Sequence, residues 1–131
     1  DGTTAAYVHH GFPAVPDLGI AMSLAEPARE LTAGADTKVH TGINASDDAF
    51  YAETPEWIAE LNRIGVLNVE MESSALYVVA RLRGVRAEII CSTSSNLTDG
   101  ASLSSGIKEK LKSGWMLSIE AALETAVRLE L

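Results

Sequence analysis

Two carboxylates, Glu70 and Glu72, flank Met71 in the run Asn68-Val69-Glu70-Met71-Glu72-Ser73-Ser74-Ala75. The run lies where a short strand is expected to hand over to a helix. Its side chains then project from a strand end, the place where open α/β sheets hold their ligands. A carboxylate there can accept both hydrogens of a cis-diol, and an ionised acceptor makes shorter, stronger hydrogen bonds than a neutral one. Met71 adds a polarisable apolar surface suited to the face of a sugar. The plainer use of Glu70 or Glu72 is negative charge for the first turn of the following helix, where the helix dipole favours it. Taken alone, the tripeptide favours that plainer use.

The chain has 131 residues, enough for one domain with a sizeable core. Apolar residues make up 47% of it, which argues against disorder. A net charge of −8 with only 10 Lys and Arg argues against a non-specific nucleic-acid surface, which needs a basic stripe for phosphate contacts. No apolar run reaches the length of a bilayer span, and the start lacks the basic-then-apolar order of a signal peptide, so no membrane partner is expected. Cys91 is the only cysteine; no intrachain disulfide can form, and a reducing compartment, the cytoplasm, is the expected setting. The sequence opens on Asp1-Gly2 and not on Met, so it is expected to be the later part of a longer chain.

The elements that must position these acids alternate between strand and helix. Thr3 to Val8 is β-prone after the Asp1-Gly2 turn signal. Pro16-Asp17 opens a helical pattern carrying Leu18, Ala21, Met22, Ala25 and Leu31 that stops near Gly34, with Pro27 expected to kink it or split it in two. Lys38 to Ala45 alternates as a strand and is followed by a Ser46-Asp47-Asp48 loop. Thr54 is placed to cap a helix from Pro55 to Ile64 that Gly65 ends. A strand from Leu67 to Met71 leads into a helix from Ser73 to Leu82, stopped at Gly84. Ala87 to Thr93 has the composition of a buried strand, Ser94 to Gly100 that of a polar loop, and Ile107 to Leu129 the amphipathic pattern of a terminal helix. This order gives an α/β class with a mostly parallel sheet, undivided by any repeat or linker.

Two further segments join the acidic run: Phe12-Pro13-Ala14-Val15, and Thr41-Gly42-Ile43-Asn44-Ala45-Ser46-Asp47-Asp48-Ala49-Phe50-Tyr51. With Val69-Glu70-Met71-Glu72-Ser73-Ser74 and Asn96, in this order and at these separations, they resemble the C-terminal half of uridine phosphorylase and its hexameric nucleoside phosphorylase relatives. The resemblance covers nearly the whole chain. It implies a three-layer α/β fold, with a mostly parallel or mixed central sheet flanked by helices, of which residues 1–131 are the C-terminal portion. It also implies a pentosyltransferase of nucleoside salvage that cleaves the glycosidic bond of a ribonucleoside with inorganic phosphate, giving ribose 1-phosphate and free base. No cofactor is implied; phosphate is the co-substrate.

By that resemblance Glu72 would accept from the ribose hydroxyls, Met71 would pack against the ribose, Glu70 would line the same pocket, and Phe50 would pack against the base. An ordinary core aromatic is the competing use of Phe50. Uridine phosphorylases usually carry a Gln and an Arg after the Phe-Tyr pair; the corresponding residues here are Thr54 and Glu56, which leaves uracil recognition open. Purine-specific relatives carry an acidic aspartate after the strand equivalent to residues 87–93, where this chain has Ser95; Asn96 fits the uridine branch better. Ser95 and Asn96 join the candidate substrate-binding residues on this ground, although an Asn after a strand is also ordinary turn chemistry.

The family's phosphate-binding loop and arginines lie in an N-terminal half with no counterpart here. Arg63, Arg81, Arg83 and Arg86 are expected on the surface or in ion pairs. His9 and His10 are adjacent on an expected strand and point to opposite faces, and His40 is isolated, so no metal site is expected. The resemblance further implies a homo-oligomer, from dimer to hexamer. Three rivals stay open: a hydrolytic nucleosidase or a purine nucleoside phosphorylase of the same fold, and a non-catalytic nucleoside-binding module.

Overall fold

The computed structural model describes residues 13–99 and 107–129. They fall into two compact units, one of residues 13–17 and 42–89 and the other of residues 18–41 and the described part of 90–129. The architecture is mixed α/β with a small parallel sheet. The strand expected at Thr3 to Val8 lies outside the described residues.

The first unit is built on two parallel strands, β1 (Ile43–Ser46) and β2 (Val66–Glu70), joined by helix α2 (Pro55–Arg63). Helix α1 (Leu18–Leu31) belongs to the second unit. The strand register pairs Ile43 with Val66, then Asn44 with Asn68, Ala45 with Val69 and Ser46 with Glu70. Leu67 is the extra residue of the resulting bulge, and its Cδ1 lies 2.4 Å from where a side chain at Gly42 would begin. The bare glycine therefore gives the bulged leucine its room.

Sequence signals set the helix ends of this unit. Thr54 caps α2, its Oγ1 accepting from the backbone N–H of Trp57 at 3.3 Å, with Pro55 at the first helical position. Gly65, at φ +82°, turns the chain out of the helix into β2. Helix α3 (Ser73–Leu82) follows β2 after a two-residue turn and buries Ser73, Ser74, Tyr77 and Val78. It ends on Gly84 at φ +67°, where Val85 N–H reaches the Ala80 carbonyl at 2.9 Å and Gly84 N–H the Arg81 carbonyl at 3.2 Å. These two bonds satisfy carbonyls that the helix end leaves without partners.

The second unit pairs α1 with α4 (Ile107–Arg128). Leu24, Ala28 and Ala121 form its buried centre, with Leu31, Val39 and Ile90 against it. Arg128 joins the helices at their rim by bonding Glu30 at 2.5 Å, Glu124 at 3.1 Å and Glu26 at 3.4 Å. Ser92 and Ser118 share a hydrogen bond at 2.9 Å, and the bare Gly114 lets Ser92 approach, since a Cβ there would sit 3.0 Å from its Oγ.

Three expectations are corrected. Pro27 does not split α1, which runs unbroken from Leu18 to Leu31; the proline is fully buried, and packing of its ring offsets the hydrogen bond it cannot donate. The strand expected from Lys38 to Ala45 is confined to Ile43–Ser46, because only those residues have a partner in β2. Residues 87–93 form no strand among the described residues, for an apolar run becomes a strand only beside another one.

Candidate active site at the turn after the second strand

The parallel pairing of β1 and β2 puts their carboxyl ends side by side, so the loop after β1 and the turn after β2 emerge at one edge. The N–H of Asp47 ties the two together, donating to the Glu70 carbonyl at 2.9 Å. This is the edge at which open α/β sheets bind ligands.

The two acids of the turn differ sharply. Glu70 faces inward and is part-buried, and its carboxylate accepts four hydrogen bonds. Oε1 takes Asn44 Nδ2 at 2.8 Å and the Ser73 hydroxyl at 2.5 Å; Oε2 takes the backbone N–H of Glu72 at 2.8 Å and of Ser73 at 2.6 Å. A carboxylate offers about four acceptor positions, so Glu70 is filled by the protein itself. Burial pushes its carboxyl up, but the hydrogen bonds from Ser73, Glu72 N–H, Asn44 and Ser73 N–H together outweigh that and hold it below the usual carboxylate value. Glu70 thus serves the start of α3, whose first N–H groups have no helical partner.

Glu72 is exposed and more weakly held: its Oε2 accepts from the N–H of Met71 at 3.3 Å. It stands at the cap position of α3 without a side-chain cap bond, so its carboxylate is open at this edge. Met71 beside it is 43% exposed, an apolar surface next to an open acid. On the neighbouring loop, Phe50 and Tyr51 lie in the short 3-10 turn Phe50–Ala52. Their rings meet edge to face, 5.3 Å apart at 85°. Phe50 is 58% exposed and so is not the core aromatic that was its competing use.

A profile of the family described as the phosphorylase superfamily matches residues 1–124. The chain belongs to the phosphorylase superfamily. It is similar to a guanosine phosphorylase of Halorubrum lacusprofundi, 32% identical over 98% of this chain and 54% of the relative's length. It is similar as well to a uridine phosphorylase of Thermococcus kodakarensis, 31% identical over 83% of this chain and 43% of the relative. A purine nucleoside phosphorylase of Aliivibrio fischeri is 32% identical over 92% of this chain and 48% of its own length. The chain thus spans about half the length of these relatives.

Within this phosphorylase-superfamily chain, Glu70, Met71, Glu72 and Phe50 share the edge of the first unit, whereas Ser95 and Asn96 belong to the second. Ser95 is half-buried. Asn96 is exposed, and its Oδ1 accepts from the Thr98 N–H at 3.1 Å and hydroxyl at 2.7 Å, opening the 3-10 turn Leu97–Asp99. Arg63 pairs with Glu60 at 2.6 Å on an exposed helix face. Among the described residues, no three His, Cys, Asp or Glu gather as a metal site, and no helix is long and apolar enough to cross a membrane.

Sequence reasoning missed Asn44 and Asn68. They are register partners inside the strand pair, with Asn68 Nδ2 donating to Asn44 Oδ1 at 2.6 Å, and Asn44 reaches both Glu70 and Ser73. One signal was there: asparagine is depleted in strands, and here one sits in each of two short ones.

Proposed function

We propose that this chain supplies the nucleoside-binding side of a nucleoside phosphorylase. Glu72 accepts from the ribose hydroxyls, Met71 packs on the sugar and Phe50 covers the base; Ser95 and Asn96 are further substrate-binding residues by the resemblance. Phosphate is the co-substrate, bound by groups in the part of the relatives' length that this chain does not span. In the reaction the bond from C1′ to the base nitrogen breaks, a bond from C1′ to a phosphate oxygen forms, and the base leaves with the electron pair and takes up a proton. The transition state resembles an oxocarbenium ion, so firm hydrogen bonds to the sugar hydroxyls lower its energy.

The observation that carries this reading is the open Glu72 carboxylate beside exposed Met71, at the carboxyl ends of two parallel strands. A uridine-like substrate is the leading reading, supported by Asn96 and by Ser95 where a purine enzyme would have its acid. A purine nucleoside is the second, favoured by the names of the relatives from Halorubrum and Aliivibrio. A homo-oligomer in the cytoplasm, working without a cofactor, completes the proposal.

The test is release of free base and ribose 1-phosphate from uridine, guanosine and inosine, with and without phosphate, by the protein and its Glu72→Gln variant. Glu72→Gln removes an ionised acceptor at constant volume. It is expected to weaken nucleoside binding about tenfold or more while the circular dichroism spectrum stays the same. Unchanged affinity in that variant would sink the assignment.

A further inference from the structure

The open acid Glu72 does not hold its own position. Its backbone N–H is gripped by Glu70 Oε2, and Glu70 is gripped in turn from the neighbouring strand. Asn44 in β1 donates from Nδ2 to Glu70 Oε1 at 2.8 Å and to Ser73 Oγ at 3.0 Å, while the Ser73 hydroxyl donates to the same Glu70 oxygen. The three side chains close a ring of hydrogen bonds. Asn68 fixes which way round the Asn44 amide sits by donating to its Oδ1 at 2.6 Å; a flipped amide would turn its oxygen on the Glu70 carboxylate.

We infer that Asn44 is a positioning residue for nucleoside binding: by locking Glu70, it fixes Glu72 and Met71 relative to β1, the strand that leads into the Phe50 loop. The inference rests on the reading of Glu72 as the ribose acceptor. It gives the asparagine a task that stability alone does not explain. A small aliphatic residue would suit the strand better, but it could neither donate to Glu70 nor accept from Asn68, and the Asn44 amide does both. Because a displacement of about 1 Å in a positioned group costs much of its effect, a residue that touches no substrate governs how well one is held.

The test uses Asn44→Asp and Asn44→Leu beside Glu72→Gln. Binding of uridine and guanosine is measured by calorimetry, and the Glu70 carboxyl by carbon NMR titration. Asn44→Asp keeps the shape but sets a second carboxylate against Glu70; the other acids at this edge are Glu72, Asp47 and Asp48. It is expected to weaken nucleoside binding about tenfold near neutral pH, with the fold intact. Affinity should partly recover on acidification, as the introduced carboxyl and Glu70 come to share one proton. Asn44→Leu should lose affinity with no such recovery, and the unmodified protein should show no gain on acidification. In both variants the Glu70 titration should move upward.

A nucleoside affinity that is unchanged in Asn44→Asp, while Glu72→Gln loses it, overturns this inference and leaves the ribose reading standing. Equal loss in both Asn44 variants without any pH difference, tracking their melting temperatures, marks a purely structural role and also overturns it. Full affinity in Glu72→Gln, or no binding of either nucleoside by the unmodified chain, overturns the ribose reading and the inference together.

Discussion

Glu70 accepts the backbone N–H of Glu72 at 2.8 Å, so the filled acid of the turn fixes the open one. The two carboxylates that bracket Met71 thereby divide the work. One is spent on the four donors that start α3 and tie it to β1; the other is left at the surface with a single long bond to Met71. One carboxylate thus supplies charge at a helix start, and the other, two residues on, stays open to solvent.

Glu70→Gln should therefore destabilise the protein without abolishing its fold. An amide nitrogen in place of one oxygen faces donors on every side, and leaving them without an acceptor costs about 1–2 kcal/mol. The pH dependence has a definite sign. Hydrogen bonding holds the folded carboxyl below its unfolded value, so its stabilisation is present above about pH 4.3 and is lost as the pH falls through the folded value. Urea midpoints of parent and variant should differ most near neutrality and converge in acid. A difference that stays constant to low pH would show that Glu70 stabilises by packing alone.

Tyr77 gives a second test, in the same unit. Its ring is 8% exposed and its hydroxyl donates to Glu88 Oε1 at 3.1 Å, while Glu88 Oε2 is buried without a hydrogen-bond partner among the described residues. Tyr77→Phe leaves that carboxylate with the Ile89 N–H at 2.8 Å and should cost about 1–3 kcal/mol in chemical denaturation. Burial, and then the charge of Glu88, push the Tyr77 phenol well above its ordinary range. A raised folded value stabilises below the unfolded one, so this contribution persists through neutral pH and fades only in strong alkali. Absorbance titration should show a tyrosine step displaced to high pH, and Tyr77→Phe should remove it.

Arg128 binds three carboxylates from two helices of the second unit, all of them partly or largely exposed. Exposed pairs are weak and screened by salt. Arg128→Met is expected to lower the melting temperature in dilute buffer, with the gap shrinking as salt is raised to about 1 M, where screening acts over only about 3 Å. A gap that does not respond to salt would mean that the arginine acts through the packing of its stem on α1.

Much of the local structure was legible in the sequence because it is written in neighbouring residues. Thr54 caps the helix that Pro55 begins, Gly65 and Gly84 take the left-handed turns that end α2 and α3, and α3 runs from Ser73 to Leu82 as its periodicity predicts. The acidic turn was legible too, since the strand and helix that flank it each announce themselves. The split allowed for at Pro27 does not occur because its local rule yields to burial, and the strand expected at residues 87–93 is missing among the described residues because composition does not report a strand's neighbours.

By itself, then, the sequence determined the order of the elements, most of their ends, and the Glu-Met-Glu run as a turn between strand and helix; all of these follow from interactions within a few residues. Only the tertiary structure decided which acid is open. That choice depends on Asn44, which lies 26 residues before Glu70 and reaches it only because β1 and β2 pair in parallel, with Asn44 beside Asn68 and Ser46 beside Glu70. Hydrogen bonds act over about 3 Å of space whatever the separation along the chain, so strand register, and not spacing in the sequence, assigns the two carboxylates their roles.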